Sequence, residues 1–199
     1  MSTYTESIEK LIEKLVRLPG IGRRSSERIV NYILGASKEE IFGLCEAISK
    51  VKENVRFCST CNNLSEQETC RICQDLRRRK DLVCIVEKPS DVTAVEKAGS
   101  FNGVYHVLLG TISPLDGVGP ADLKIEGLLC RLKTGAIKEV IIATDADTEG
   151  ETTAIYLTKL IKPLGIKLSR IGMGIPMGSN LEYADASTLS IALEARREI

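Results

Sequence analysis

The chain has 199 residues, of which 43% are hydrophobic, and its 27 basic side chains equal its 27 acidic side chains in number. This length and apolar content allow one or two folded domains with a real core, and they exclude a disordered chain. The formal net charge of zero gives no overall argument for binding nucleic acid or a membrane, so any such signal must be local.

No stretch approaches the roughly 18 consecutive apolar residues of a membrane span, and the N-terminus lacks the basic-then-apolar order of a secretion signal. We therefore expect a cytoplasmic protein. Seven cysteines would suggest disulfides in an exported chain, but clustered cysteines in a reducing cytosol more often bind metal.

The charge is unevenly distributed along the chain. Residues 1–80 contain 15 basic and 11 acidic side chains, whereas residues 81–199 contain 12 and 16. Part of the basic excess is the run RRRK at 77–80, which is either a second basic patch or a charged linker. The uneven charge indicates two working surfaces.

The N-terminal residues show helical periodicity. The first apolar stripe consists of Ile8, Leu11, Ile12, Leu15 and Val16. It predicts an amphipathic helix that ends before Pro19. A second stripe follows the break, and Ser37 with Glu40 predicts a capping box for a third helix.

The break itself reads LPGIGRRSSER and predicts a hairpin between two helices. Gly20 and Gly22 let the backbone approach a partner closely, and the free amides at the start of the second helix can bind a phosphate. Arg23, Arg24 and Arg28 stand beside them. The pattern favours sequence-independent binding to a nucleic-acid backbone. The alternative is an ordinary helical hairpin with a solvated basic face.

Four cysteines, Cys58, Cys61, Cys70 and Cys73, follow the pattern C-x2-C-x8-C-x2-C. Each close pair can place two thiolates on one metal, and four thiolates leave no open position, so the spacing predicts a structural zinc ion. Two chance pairs of core cysteines are a weaker interpretation because the intervening residues are polar. The other cysteines are predicted to be small core residues: Cys45, Cys84 and Cys130.

After the cysteines, short apolar runs alternate with helical stretches. The apolar runs are 82–86, 104–109, 140–144 and 167–172, and the helical stretches lie near 91–98, 121–133 and 150–162. This alternation predicts a parallel sheet covered by helices, with sites at the carboxyl ends of the strands. His106, the only histidine, lies within an apolar run and is predicted to be a core residue rather than a catalytic one.

Acidic residues follow two of the predicted strands. Glu87 ends one strand, and Asp145 and Asp147 follow another, so a parallel sheet can bring the three carboxylates to one edge. Such a set suits one or two Mg²⁺ ions. Asp91 and Glu151 are better explained as acids that offset the helix dipole in a first turn.

Five motifs follow one another along the chain: the hairpin, the four cysteines, Glu87 with DADTEG, SPLDGVGP at 113–120 and RIGMGIPMGSNLEYAD at 170–185. Glu87 with DADTEG resembles the pattern of Toprim domains, and the five motifs in this order resemble the RecR family of recombination mediators. The resemblance covers the whole chain. It implies an α/β protein with these segments: a helix-hairpin-helix DNA-binding domain at 1–54, a four-cysteine zinc finger at 55–80, a Toprim domain with a four-stranded parallel sheet flanked by helices at 81–176, and a C-terminal segment with a helix at 177–199.

The resemblance also implies a function without catalysis. Members of the family act with RecO, and in some pathways RecF, to help load RecA onto single-stranded DNA, and they form tetrameric rings that encircle duplex DNA. The hairpin arginines of the family face the hole, and the matching positions here are Arg23, Arg24 and Arg28. The Toprim acids lie near the surface that meets RecO, and the matching positions are Glu87, Asp91, Asp145, Asp147 and Glu149.

One departure from the family keeps an enzymatic alternative open. Many relatives carry Asn and a hydroxyl or apolar residue where this chain has Asp145 and Asp147, so its pair is closer to that of catalytic Toprim enzymes. A small Mg²⁺-dependent nuclease using Glu87, Asp145 and Asp147 is the alternative function. The C-terminal helix offers an apolar face for its own chain or for an oligomer contact: Leu189, Ile191, Ala192 and Leu193.

Overall fold

The structure is a computed structural model that describes residues 4–196. The parts of the predicted terminal segments at 1–3 and 197–199 lie outside the described residues. The chain divides into two compact units, Met1–Val55 and Arg56–Ile199. Within the described range, no helix is both long enough and apolar enough to cross a membrane.

The first unit consists of three helices: α1 (Glu6–Val16), α2 (Arg23–Gly35) and α3 (Lys38–Asn54). Helices α1 and α2 pack together, with Ile12 and Val30 buried. Half of the capping box predicted for α3 is present: the Ser37 hydroxyl accepts a hydrogen bond from the Glu40 amide at 3.1 Å, whereas the Glu40 carboxylate accepts one from the Tyr32 hydroxyl. The sequence periodicity therefore places all three helices.

Helix α3 buries none of its residues in the isolated chain. Cys45 lies on this helix and is exposed, so its predicted core position is wrong. Cys130 is also exposed, because its helix turns Leu128 and Leu132 toward the core and leaves Cys130 outside. Only Cys84 of the three is buried as predicted.

The second unit begins with a small cysteine-containing module. Two short strands, β1 (Arg56–Phe57) and β2 (Leu64–Ser65), pair antiparallel, and a single helical turn, α4 (Arg71–Gln74), follows them. Three of the four cysteines form the buried centre of the module. With so little apolar core, the module needs a cross-link of some kind to be stable.

A four-stranded parallel sheet forms the centre of the second unit. Its strands are β3 (Arg79–Val86), β4 (Gly103–Val107), β5 (Glu139–Ile142) and β6 (Lys167–Arg170), in the order β4-β3-β5-β6. The connecting helices are α5 (Pro89–Ala98), α6 (Ile125–Lys133) and α7 (Thr148–Ile161), and α8 (Ala186–Glu194) follows β6. The predicted α/β fold class is confirmed.

The two faces of strand β3 build two separate cores. Val83 and Ile85 belong to the larger core, together with apolar residues of α6 and α7. Cys84 and Val86 belong to the smaller core, with Val92 of α5. This alternation follows from the two-residue period of an extended chain whose two faces are both covered.

His106 is buried within β4, as predicted for a core residue. Its Nε2 atom donates a hydrogen bond to the Lys124 carbonyl oxygen at 2.7 Å. Burial lowers the pKa of His106 to about 4, so the ring is neutral at physiological pH. Its role is to hold the segment before α6 against the sheet.

Candidate functional site

The four cysteines lie in a geometry suited to one metal ion. Their Sγ atoms all lie within 4.8 Å of one another, and the Sγ atoms of Cys61 and Cys70 are 3.6 Å apart. A tetrahedral zinc site with Zn–S bonds of about 2.3 Å has sulfur atoms about 3.8 Å apart, so the observed spacing fits zinc. Within residues 4–196, no other three cysteine, histidine or acidic side chains converge in this way.

Burial and hydrogen bonding shift the pKa values of these thiols in opposite directions. Hydrogen bonding with Cys70, together with burial, raises the pKa of Cys61, whereas the same hydrogen bond lowers the pKa of Cys70. The Cys70 amide donates to the Cys58 Sγ atom at 3.2 Å, which orients that ligand. A divalent cation would compensate the four clustered thiolates, and its role would be structural because no coordination position stays open.

The cysteine module is attached to the edge strand of the sheet. The Val107 amide of β4 donates to the Cys61 carbonyl oxygen at 2.8 Å, and Asn62 Nδ2 donates to the Val107 carbonyl oxygen at 3.1 Å. Asn62 has a left-handed backbone (φ 60°), which brings its side chain to this strand. Ile72 packs against both the cysteine cluster and the smaller core. The module thereby covers part of an exposed sheet edge.

The basic run at 77–80 is bound up in intramolecular contacts. Arg77 pairs with Asp75, Arg78 with Glu96, Arg79 with Asp81, and Lys80 donates to the Cys73 carbonyl oxygen. Arg78 also donates to the Gly103 carbonyl oxygen at 3.2 Å, and Tyr105 donates to the same Glu96 carboxylate at 2.6 Å. These partners favour a charged linker with internal contacts over a second basic patch.

The helical hairpin brings its glycines and arginines to the start of α2. Gly20 has a φ of 77°, a conformation that a residue with a side chain rarely adopts. Gly22 is the N-cap of α2 and has no side chain with which to satisfy the first amides of the helix. Arg24 and Arg28 are exposed one turn apart, and no hydrogen bond or ion pair engages either side chain in the described chain. Arg23 differs, because it pairs with acidic residues.

Glu87 is the buried member of the acidic cluster at the carboxyl edge of the sheet. It ends β3 with only 2% of its surface exposed, and its Oε1 atom accepts a hydrogen bond from the Asp145 amide at 2.9 Å. Burial raises the pKa of Glu87 to about 6, and the charges of Asp145 and Asp147 act in the same direction. The tertiary structure thus joins the two acidic segments that the sequence separates.

The other acids at this edge have different surroundings. Asp147 caps α7 by accepting from the Gly150 amide at 2.7 Å, and Asp91 accepts from the Lys88 amide at 2.7 Å near the start of α5. Asp145 is exposed, and Glu149 is half-buried. In the part of the chain that the structure describes, these carboxylates do not converge on a common point as the cysteines do.

Three residues at this edge were missed by the sequence analysis. A Cβ atom on Gly150 would lie 2.3 Å from the Asp145 carbonyl oxygen and 2.9 Å from Glu87 Oε1, so only glycine fits there. The buried Thr144 hydroxyl donates to the Gly150 carbonyl oxygen at 2.8 Å. Arg170 pairs with Glu151, which partly neutralises the edge. The glycine in DADTEG was the available signal for the first of these.

Comparison with known protein families first defines the class: residues 81–172 match the Toprim domain. Three further matches are specific to one family, namely the RecR helix-hairpin-helix at 8–52, the RecR zinc finger domain with four cysteines at 55–75 and the RecR C-terminal region at 174–197. The resemblance inferred from the sequence motifs is confirmed.

Known relatives match this chain in sequence over its whole length. The chain is 52% identical to the recombination protein RecR of Pelotomaculum thermopropionicum over 100% of both chains. It is 52% identical to the protein of that name from Acidothermus cellulolyticus and 50% identical to that from Streptomyces coelicolor, in each case over 98% of both chains. The chain belongs to the RecR family of recombination proteins.

Proposed function

We propose that this chain is a DNA-binding mediator of recombinational repair that acts with RecO, and in some settings RecF, to help load RecA onto single-stranded DNA. The observation that carries the proposal is the pair Arg24 and Arg28, which stand exposed beside the open amides of α2 and have no partner among the described residues. The negatively charged phosphates of a nucleic-acid backbone would provide ion-pair partners for these two guanidinium groups. Gly20 and Gly22 allow that backbone to approach closely.

The acidic edge is proposed to be a surface for a protein partner rather than a catalytic centre. Asp145 and Glu149 present carboxylates there, whereas Glu87 and Asp147 already accept hydrogen bonds from main-chain amides. An exposed acidic edge attracts a basic surface of a partner such as RecO and speeds its association. The chain is accordingly proposed not to be an enzyme.

A Mg²⁺-dependent nuclease is the second candidate function. The placement of Glu87 beside Asp145 at the carboxyl end of the sheet is the observation that favours it. These two groups and Asp147 would hold the ion and position a phosphate and a water molecule. Mg²⁺ bound at this edge is equally compatible with a partner-binding role.

A homo-oligomer, in the form of the family's tetrameric ring, is the proposed assembly. Large apolar side chains are exposed on α3 and in the C-terminal segment, among them Phe42 (74%), Ile48 (63%) and Tyr183 (80%). A monomer rarely leaves so much apolar surface uncovered. We further propose the domain division 1–54, 55–80, 81–176 and 177–199, and a location in the cytoplasm at the nucleoid.

The decisive experiment incubates the purified protein with labelled single- and double-stranded DNA, with and without Mg²⁺. The mediator function predicts DNA binding without cleavage. Arg24→Ala and Arg28→Ala are expected to weaken this binding. Cleavage that requires Mg²⁺ and disappears in Asp145→Ala would instead establish the nuclease. Light scattering on the same sample measures the oligomer, and purified RecO with an Asp145→Asn variant tests the acidic surface.

A further inference from the structure

The three arginines at the start of α2 have different surroundings. Arg23 Nη2 donates to both carboxylate oxygens of Glu9, at 3.1 and 3.2 Å, and its Nε atom donates to Glu27 at 3.2 Å. Arg24 and Arg28 make no such contacts within the described residues. One guanidinium of the three is therefore shared between two carboxylates.

These ion pairs link the two helices of the hairpin. Glu9 lies on α1, whereas Arg23 and Glu27 lie on α2, so the network crosses the hairpin. The carboxylates are more shielded than the guanidinium, with 21% of the Glu9 side chain and 30% of the Glu27 side chain exposed, against 57% for Arg23. A single exposed pair contributes little, but two nitrogen atoms held by two carboxylates form a network with defined geometry.

Arg23 is already engaged inside the hairpin. Its Nε and Nη2 atoms donate to carboxylates, so it has fewer free donors for a phosphate than Arg24 or Arg28. If Arg23 turned to a phosphate, it would withdraw its charge from Glu9 and Glu27 while both carboxylates stayed close to the DNA. The charge of Glu9 also raises the pKa of Arg23.

We propose that Arg23 is a positioning residue that ties α1 to α2 and makes no phosphate contact, while Arg24 and Arg28 form the DNA-binding pair. This inference rests on the proposed DNA-binding function of the hairpin. In this arrangement, Glu9 and Glu27 keep the Arg23 guanidinium group from binding a phosphate. The phosphate-binding surface is therefore smaller than the run of basic residues in the sequence indicates.

The test measures the affinity of the full-length chain for a fluorescent DNA duplex as a function of KCl concentration. Each phosphate contact contributes about 0.9 to the slope of log affinity against log salt concentration. Arg24→Gln and Arg28→Gln are expected to reduce this slope and lower the affinity at least fivefold. Arg23→Gln is expected to keep the slope and to stay within twofold of the wild-type affinity, but to lower the unfolding temperature, which Arg24→Gln leaves unchanged.

A gain of binding completes the test. The double variant Glu9→Gln, Glu27→Gln frees Arg23, so its slope is expected to become steeper than that of the wild type, and adding Arg23→Gln is expected to cancel the increase. If Arg23→Gln reduces the salt-dependence slope as much as Arg24→Gln does, the inference is overturned. An unfolding temperature unchanged in Arg23→Gln overturns it as well. If all three arginine variants keep the wild-type affinity, the proposed DNA-binding function of the hairpin is refuted instead.

Discussion

Glu87 Oε1 accepts a hydrogen bond of 2.9 Å from the amide of Asp145, which lies 58 residues further along the chain. The bond links the ends of two neighbouring parallel strands, β3 and β5. A carboxylate that is almost completely buried is thus placed directly beside the exposed acids of the same edge. Its protonation and its packing can both be tested.

Replacement of Glu87 by glutamine is expected to stabilise the protein at neutral pH. The folded-state pKa is about 6, above the ordinary value of 4.5, because burial disfavours the charged form. The contribution of Glu87 to the free energy of unfolding is therefore fully present below pH 4.5 and is lost as the pH rises through 6. Glutamine keeps an acceptor for the Asp145 amide and carries no charge. The gain at pH 7.5 is about 1–2 kcal/mol.

Urea unfolding at a series of pH values measures this effect. The gain should shrink to nothing at the most acidic pH at which the wild type still folds reversibly, which provides an internal control. An equal gain at every pH would show that the change acts through packing and not through the charge.

Substitution of Gly150 by alanine is expected to disrupt the acidic edge. The new methyl group would overlap the Asp145 carbonyl oxygen and press on Glu87 Oε1, and neither backbone nor buried carboxylate can move freely. The cost is about 1–3 kcal/mol, as for other overpacked sites. Gly43→Ala on α3 is a matched control, because Gly43 also lies within a helix and no described atom outside its own helix backbone and chain neighbours lies within 4 Å of the added carbon. Chemical denaturation that finds the two variants equally stable would contradict this packing.

Removal of one cysteine of the metal site is expected to abolish zinc binding and unfold its module. Cys58→Ala and Cys70→Ala each remove a buried ligand, and residues 4–196 offer no replacement in the cluster. Cys45→Ala is the control, since this cysteine is exposed and lies outside the cluster. Atomic absorption measures the zinc. Stoichiometric zinc retained in either ligand variant would refute the assignment.

Asn62 is expected to couple the cysteine module to the sheet. Asn62→Ala removes the hydrogen bond to Val107 and puts alanine into a left-handed conformation that asparagine adopts more readily, and these losses together cost about 2 kcal/mol. Asn62→Gly loses the same hydrogen bond, but glycine adopts the left-handed backbone conformation without strain, so this variant should be the less destabilised one. Hydrogen exchange at the end of β4 should rise in both variants. Unchanged protection of Val107 would show that the contact does not hold the strand.

The local features of this chain were readable from its sequence because each depends on residues close together. The positions of α1, α2 and α3 follow from apolar spacing, and β3 follows from an apolar run between polar boundaries. The four-cysteine spacing specifies a metal site because a tetrahedron requires ligands that short turns can supply. The family resemblance and the fold class rest on such motifs taken in order.

Contacts between distant residues were decided by the tertiary structure alone. Periodicity gives the face of a helix but not whether another element covers it, which is why Cys45 was wrongly placed in the core, since α3 has no buried residue. Cys130 was misplaced for another reason, because it lies on the side of α6 away from the buried Leu128 and Leu132. Likewise, the sequence determined that the hairpin is basic, but the fold brings Glu9 within hydrogen-bonding distance of Arg23, 14 residues away. A charge seen in the sequence acts on a ligand only if no other part of the chain has already paired with it, and pairing depends on distances that exist only after folding.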